Sequence, residues 1–193
     1  MDLFAAIESR RSTGRLTEPA PTAADLRRIL EAATLAPDHE TLRPWRFVVL
    51  TGAAKVAFGQ VLAKAYEARC ADRGVDVVPA KREKELTKLG RAPMVVVAAA
   101  VGRPSDKVPF VEQFAAAAAA VQNMLLAATA LGYGSMWRTG DPAYDPMVKE
   151  TLGLTADDAI VGFVYLGTPF ADGRAPAERP PVDLDDLVTH WEP

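Results

Sequence analysis

Residues 114–131 read FAAAAAAVQNMLLAATAL and run directly into Gly132; the reading of this stretch decides the fold. Ala is the strongest helix former and Leu and Met are close behind, so the run predicts one continuous helix of about five turns. It has almost no polar face, with Gln122 and Asn123 as its interruption. A helix that is apolar all round must be covered on every side, by the rest of its own domain or by a second chain. Small side chains let two helix backbones approach closely, which suits a dimer seam; a buried core helix within one chain gives the same pattern. A membrane span fits it poorly, because Ala contributes little to insertion, two amides sit mid-run and no basic flank stands on either side.

Working outward, 193 residues suit one domain, 1–193, with a sizeable core. The 22 basic and 25 acidic residues leave a formal charge of −3, and the basic residues are scattered, which argues against a nucleic-acid surface. Cys70 is the single cysteine, so no internal disulfide forms. His39 and His190 make no cluster with metal-ligand spacing, so no metal is expected. The opening MDLFAAIESRRS places acidic residues first and basic residues last, the reverse of a secretory signal; a cytoplasmic protein is the expectation.

Asp2 is placed to cap a first helix ending near Ser9, and Thr22 a second one ending before Pro37. Residues 45–50, WRFVVL, and 94–101, MVVVAAAV, read as buried strands, with a helix begun by Thr51 running from the first towards Cys70. The charged segment 81–89 reads as a solvated helix. Residues 133–138 and 160–166 complete four strands, with a surface helix over 144–152 between them. The tail from Pro169 holds five prolines and is expected to lie along a surface. Strands alternating with helices argue an α/β or α+β layer, a four-stranded sheet with helices on both faces.

Three groups could carry chemistry. Arg10-Arg11-Ser12 closes the first helix, and two guanidiniums beside a hydroxyl can grip a phosphate; cations at a helix C-terminus also complement its dipole. Asp38-His39 sits in a loop between Pro37 and Pro44. A His beside an Asp suggests a general base, with Ser12 as a conceivable nucleophile, yet no G-x-S-x-G elbow surrounds any serine. Trp137-Arg138-Thr139-Gly140 ends a strand and offers an aromatic surface, a cation and a glycine, although Trp137 could equally be core. Neither G-x-G-x-x-G after the first strand nor G-x-x-x-x-G-K is present.

Together, IESRRSTGRLTEPAPT, LAPDHETLRPWRFVVL, the RAP before the second strand, KVPFVEQFAAAAAAVQNMLLAATALGYGSMWRTG and IVGFVYLGTP resemble the nitroreductase superfamily of FMN-dependent oxidoreductases, in particular its smallest branch. The order and spacing of these stretches carry the likeness. It implies an α+β nitroreductase-like fold in an interlocked homodimer, with FMN in clefts at the interface and the apolar helix in the dimer core. Carried over by position, Arg10, Arg11 and Ser12 would contact the ribityl phosphate and flavin, and Trp137, Arg138 and Thr139 would border the isoalloxazine. Leu35 and His39 would reach the same flavin from the other subunit. Ala127, Ala128, Thr129, Ala130, Leu131 and Gly132 would be associated with the nicotinamide nucleotide. Larger relatives grip the phosphate with a basic pair near the C-terminus, where this tail offers Arg174 and Arg179. Residues 70–91 would form the lid over the flavin.

The implied reaction is ping-pong: NAD(P)H gives hydride to the flavin, which passes electrons to a nitroaromatic, quinone or similar small acceptor, with no catalytic side chain required. A specialised flavoenzyme of the same fold, such as a reductive dehalogenase or ring-modifying enzyme, and a protein that stores or senses FMN without turnover are the alternatives. The residues choose neither the acceptor nor NADH over NADPH.

Overall fold

The computed structural model describes residues 1–170 and 179–192. Helix α1 (Leu3–Ser9) starts where the Asp2 carboxylate accepts from the Ala5 amide, and α2 (Ala23–Ala33) where the Thr22 hydroxyl accepts from the Asp25 amide. Each cap satisfies one of the amides a helix start leaves unpaired, and both were readable from sequence. The other helices are α3 (Gly52–Asp72), α4 (Pro79–Thr87), α5 (Phe110–Ala130), α6 (Asp141–Tyr144) and α7 (Pro146–Thr151). The strands are β1 (Leu16–Thr17), β2 (Trp45–Thr51), β3 (Met94–Ala100), β4 (Gly134–Arg138) and β5 (Ala159–Pro169).

The sheet is antiparallel throughout, and this makes the fold α+β. β3 pairs with β2 on one edge and β5 on the other, and β5 also pairs with β4 and β1. The described residues thus form five strands where the sequence predicts four. The extra one, β1, is two residues long and carries no periodicity. It exists because β5 runs on to Pro169 and offers Thr168 and Pro169 to Thr17 and Leu16.

Period-two alternation sorts the core onto two faces. Val95, Val97 and Ala99 of β3 join Phe58, Leu62, Leu89 and Val148 on the α3 side, while Met94, Val96, Ala98 and Ala100 join Ala117, Ala120, Val121 and Met124 on the α5 side. The register of β3 on β5 shifts between Ala98 and Ala99. The extra β5 residue puts Ile160 on the same face as Phe163 and Tyr165.

The long apolar helix begins a turn earlier than predicted, at Phe110. At 21 residues with a mean hydropathy of 1.2 it has the length and composition of a membrane span, yet it lies on the sheet and buries one side there. Its amide interruption has a structural use. Asn123 Nδ2 donates to the Ala32 carbonyl at 3.0 Å, satisfying a C-terminal carbonyl of α2, while Gln122 is exposed. The helix stops at Gly132 (φ 87°), with Tyr133 N–H bonded to the Ala128 carbonyl and Gly132 N–H to that of Thr129. This is the paired termination that a left-handed glycine permits.

Two sequence expectations need correction. The solvated helix 81–89 ends at Thr87, and a 3-10 turn over Lys88–Arg91 swings Leu89 into the core beneath α3. The surface helix 144–152 is two short helices broken at Asp145, whose carboxylate accepts from the Met147 and Val148 amides and pairs with Arg69. Val148 is fully buried, so α7 is not a surface element. The segment 70–91 packs on α3: the Tyr66 hydroxyl accepts from the Val78 amide and Arg82 pairs with Glu67.

Candidate functional site

The residues after α1 run beside the outer edge of β4. Ser12 forms a bridge with Ser135, and the Thr13 amide donates to the Ser135 carbonyl at 3.0 Å. Beyond Ser135, among the described residues, no strand covers that edge along Met136, Trp137 and Arg138. The chain therefore brings Arg10, Arg11 and Ser12 to the same place as Trp137, Arg138 and Thr139, two groups more than 120 positions apart.

Three guanidiniums gather there. Arg11 Nη1 donates to the Glu8 carbonyl at 2.5 Å and the Arg10 carbonyl at 3.1 Å. Arg179, from the tail, donates from Nη2 to the Ile7 carbonyl at 3.2 Å and to the Arg10 carbonyl. Both complete the open C-terminal end of α1, so the helix-terminus reading is satisfied. The arrangement also has an electrostatic tension: burial first, and then the charges of Arg179 and Arg11, lower the pKa of Arg10 from its ordinary value. An anion set among them would relieve the repulsion and form forked hydrogen bonds. In the sequence, Arg179 stands only as one of the two cations that the proline-rich tail offers in place of a basic pair. Its companion Arg174 lies outside the described residues.

Trp137 and Arg138 leave β4 on opposite faces. The Trp137 indole is half-buried on the α5 side and donates from Nε1 to the Val161 carbonyl at 3.0 Å. Its seat depends on Gly162, where a Cβ would stand 2.5 Å from indole Cδ1 and 2.9 Å from the Arg138 carbonyl oxygen. Arg138, with Nε 3.1 Å from Met136 Sδ, and Thr139 line a small pocket on the α3 side, together with Lys88, Phe163 and Tyr165. Burial pushes the Tyr165 hydroxyl up, opposed by the charges of Arg138 and Arg91 and reinforced by Glu85. On the α5 side, Ser135 Oγ is buried without a hydrogen-bond partner among the described residues. Such a hydroxyl costs about 1–3 kcal/mol. No sequence signal marked it, since a serine in a strand looks like any other.

Leu35 and His39 lie elsewhere in the chain. α2 runs antiparallel to α5: Asp25 accepts from the Tyr133 hydroxyl at 2.8 Å just past the end of α5, Ala32 meets Asn123 at its middle, and His39 Nδ1 lies 2.9 Å from Glu112 Oε2 at its start. Glu112 and Ala130 are about 27 Å apart along the helix, and Ser12 sits beside β4 just beyond that far end. Asp38 is not the partner of His39, because its carboxylate accepts from the Arg43 amide at 2.6 Å. The conceivable Ser12–His39–Asp38 relay is thus absent from the single chain. Between them, Glu40, Thr41 and Arg43 hold positive φ of 59°, 55° and 50° without being glycine. Backbone strain of this kind persists only where the surroundings over-determine it; here Glu40 is held by Ser105 at 3.1 Å and Lys107 at 3.2 Å.

The stretch Ala127, Ala128, Thr129, Ala130, Leu131 and Gly132 forms the last turn and stop of α5. Ala128 is fully buried, and the Thr129 hydroxyl donates to the Leu125 carbonyl at 2.9 Å.

Much apolar surface is uncovered in the chain. Phe4 is 73% exposed on α1, Val111 69% on α5, and Leu35 81% after α2, with Leu3, Ile7 and Phe114 beside them.

Residues 7–168 match the model of a family described as the nitroreductase family. A protein of Escherichia coli (strain K12), provisionally named NAD(P)H nitroreductase YdjA, is 40% identical over 170 residues, covering 88% of this chain and 89% of its own. The crystal structure of a nitroreductase-like family protein from Bacillus cereus superposes with a TM-score of 0.80 at 25% identity, covering 100% of this chain and 97% of that one. A protein of Desulfovibrio desulfuricans, provisionally described as a nitroreductase and solved in complex with FMN, superposes with a TM-score of 0.71 at 26% identity, covering 100% of this chain and 98% of that one.

Proposed function

Because the chain belongs to the nitroreductase family, we propose that it is an FMN-dependent oxidoreductase, a single domain acting as a homodimer, that takes hydride from NAD(P)H and delivers electrons to a nitroaromatic, quinone or similar small acceptor. The observation that carries this reading is the gathering of Arg10, Arg11 and Arg179 beside the uncovered edge of β4. The fit to FMN is chemical: guanidiniums suit a phosphate, Trp137 supplies an aromatic wall, and Ser135 offers a buried hydroxyl in want of a partner.

When bound, the flavin supplies the hydride and electron transfer. The chain's own groups bind and orient. Arg10, Arg11 and Arg179 hold the phosphate, with Ser12 beside them. Arg138 stands at the other end of the β4 edge, where a fixed cation in a site partly shielded from water stabilises negative charge more strongly than it could in solution. Trp137 and Thr139 would border the ring system. The Ala127 to Gly132 turn, next to β4, is the suggested neighbour of the nicotinamide nucleotide.

The dimer follows from a mismatch within one chain. Leu35 and His39 lie towards the start of α5 and the arginines beyond its end, so both can serve one flavin only if a second copy supplies one group. Pairing through the exposed apolar faces of α1 and α5 would cover Phe4, Val111 and Phe114 and bring the two groups together. His39, whose Nδ1 lies within hydrogen-bond distance of Glu112, would position the flavin and need not exchange a proton.

The test is complementation. Arg10→Ala and His39→Ala homodimers should each bind FMN weakly. Mixed under subunit exchange, they should regain one tight site per heterodimer, because both lesions then fall in the same cleft. Confirmed exchange without any regained tight site would exclude the two-chain arrangement. Stopped-flow reduction of bound flavin by NADH and NADPH, followed by acceptor-dependent reoxidation, tests the turnover and distinguishes an enzyme from a flavin store.

A further inference from the structure

A second cationic feature lies outside the proposed flavin residues. The segment after Ser12 turns through Gly14 and Arg15 into β1, and with the end of α4 and the following 3-10 turn it walls an open groove. Arg15, Lys84, Lys88 and Arg91 line it, and among the described lining residues there is no carboxylate. Two acidic residues close by in sequence are engaged: Glu85 pairs with Lys88 at 2.6 Å, and Glu18 accepts from the Ala20 amide at 2.8 Å. Two of the four cations are held in place, Lys88 by that pair and Arg15 by stacking 4.1 Å over the Phe170 ring. Held cations bind an anion without first losing side-chain freedom.

The groove connects with the reaction site at two points. Lys88 also lines the cavity that holds Arg138 and Thr139. Leu16, in the groove wall, lies against Gly134, two residues past the Gly132 stop of α5. A ligand seated there could therefore extend from the β4 edge across the end of the sheet.

We propose that this groove binds the phosphates of a nicotinamide dinucleotide, with Arg15 and Lys84 meeting a 2′-phosphate, so that the protein selects NADPH over NADH. The inference rests on the reading of the chain as an NAD(P)H-dependent flavoenzyme. A 2′-phosphate adds a charge of roughly −1.5 to −2, and with Lys88 already paired to Glu85 the remaining cations Arg15, Lys84 and Arg91 favour the more anionic of two otherwise equal ligands. The adenylate end would gain the contacts and the hydride-bearing end would not, so the preference belongs in binding and not in the reduction step.

The experiment uses the flavin-loaded protein, with Arg15→Gln/Lys84→Gln as the double variant and Lys81→Gln as a control on the same helix outside the groove. Calorimetry with adenosine 2′,5′-bisphosphate and with 5′-AMP reads binding directly, and stopped-flow reduction by NADPH and by NADH reads apparent Kd and limiting rate. The expected result is that the wild type binds the bisphosphate and NADPH at least tenfold more tightly than 5′-AMP and NADH. The double variant should lose most of that ratio at an unchanged limiting rate, and the control should keep it. Equal affinity of the wild type for both members of each pair, or a ratio that survives in the double variant, overturns the proposal. Flavin that neither nucleotide reduces would count against the enzymatic reading instead, and the bisphosphate comparison would then decide the groove alone.

Discussion

Replacing Gly162 with alanine tests how the fold supports the site. The added methyl would stand 2.5 Å from Trp137 Cδ1 and 2.9 Å from the Arg138 carbonyl oxygen, where ordinary carbon contacts need about 3.5–4.0 Å. The indole must move by about 1 Å or more, and its hydrogen bond to the Val161 carbonyl breaks. Overpacking of this kind costs about 1–3 kcal/mol and the lost hydrogen bond about 1 kcal/mol, for roughly 2–4 kcal/mol in all. For a chain of this length that corresponds to a fall in Tm of roughly 5–15 °C. If Trp137 borders the flavin, the displaced ring also forfeits contacts worth about 1–1.5 kcal/mol, or roughly tenfold in FMN affinity. Urea unfolding and FMN titration measure the two effects separately. Repeating Gly162→Ala in a Trp137→Phe background isolates the clash with the indole. The penalty should shrink there without vanishing, because the Arg138 carbonyl remains. A Gly162→Ala protein with wild-type stability and FMN affinity would refute both the packing argument and the placement of Trp137 at the site.

Arg179→Ala should leave the fold intact and weaken FMN about tenfold or more, the loss of one charge-assisted contact, while riboflavin, which lacks the phosphate, binds as before; an equal loss for both ligands would assign Arg179 to α1 alone. Burial pushes the Asp158 carboxyl up, but hydrogen bonds from the Thr155 amide, the Gly102 amide and the Thr155 hydroxyl, helped by Lys149, bring it net below the ordinary carboxylate value. Its contribution to stability is therefore complete above about pH 4 and lost as pH falls through the depressed folded value. Asp158→Asn should cost roughly 2 kcal/mol at neutral pH, with the gap to wild type closing below pH 4 in acid unfolding curves. Phe114→Asp places a charge on the uncovered face of α5 and should convert dimers to monomers that hold FMN weakly; unchanged mass by light scattering would remove α5 from the interface.

How much of this was legible depends on the range over which each signal acts. A helix declares itself within a few residues: the caps at Asp2 and Thr22, the alanine run of α5 and its glycine stop are set by bonds spanning three to five positions, and they stand where the sequence puts them. The apolar strands β2 and β3 were equally plain, because burial on a sheet needs the same side chains whatever the partner. Family membership was legible for a related reason, since the order of five short stretches survives in the chain itself. What the chain could not state locally is which distant segments meet. β1 is a strand only because β5 overhangs it, and Leu89 is core only because a 3-10 turn follows α4. Arg179 joins Arg10 across 169 positions, and Arg15 shares a groove with Lys84, well separated from it in sequence. Asp38 and His39, neighbours in sequence, take different partners, Arg43 and Glu112. Local hydrogen-bonding and periodicity determine the elements; the convergence of charges, and the separation of residues that only a second chain could reunite, come from packing those elements against one sheet.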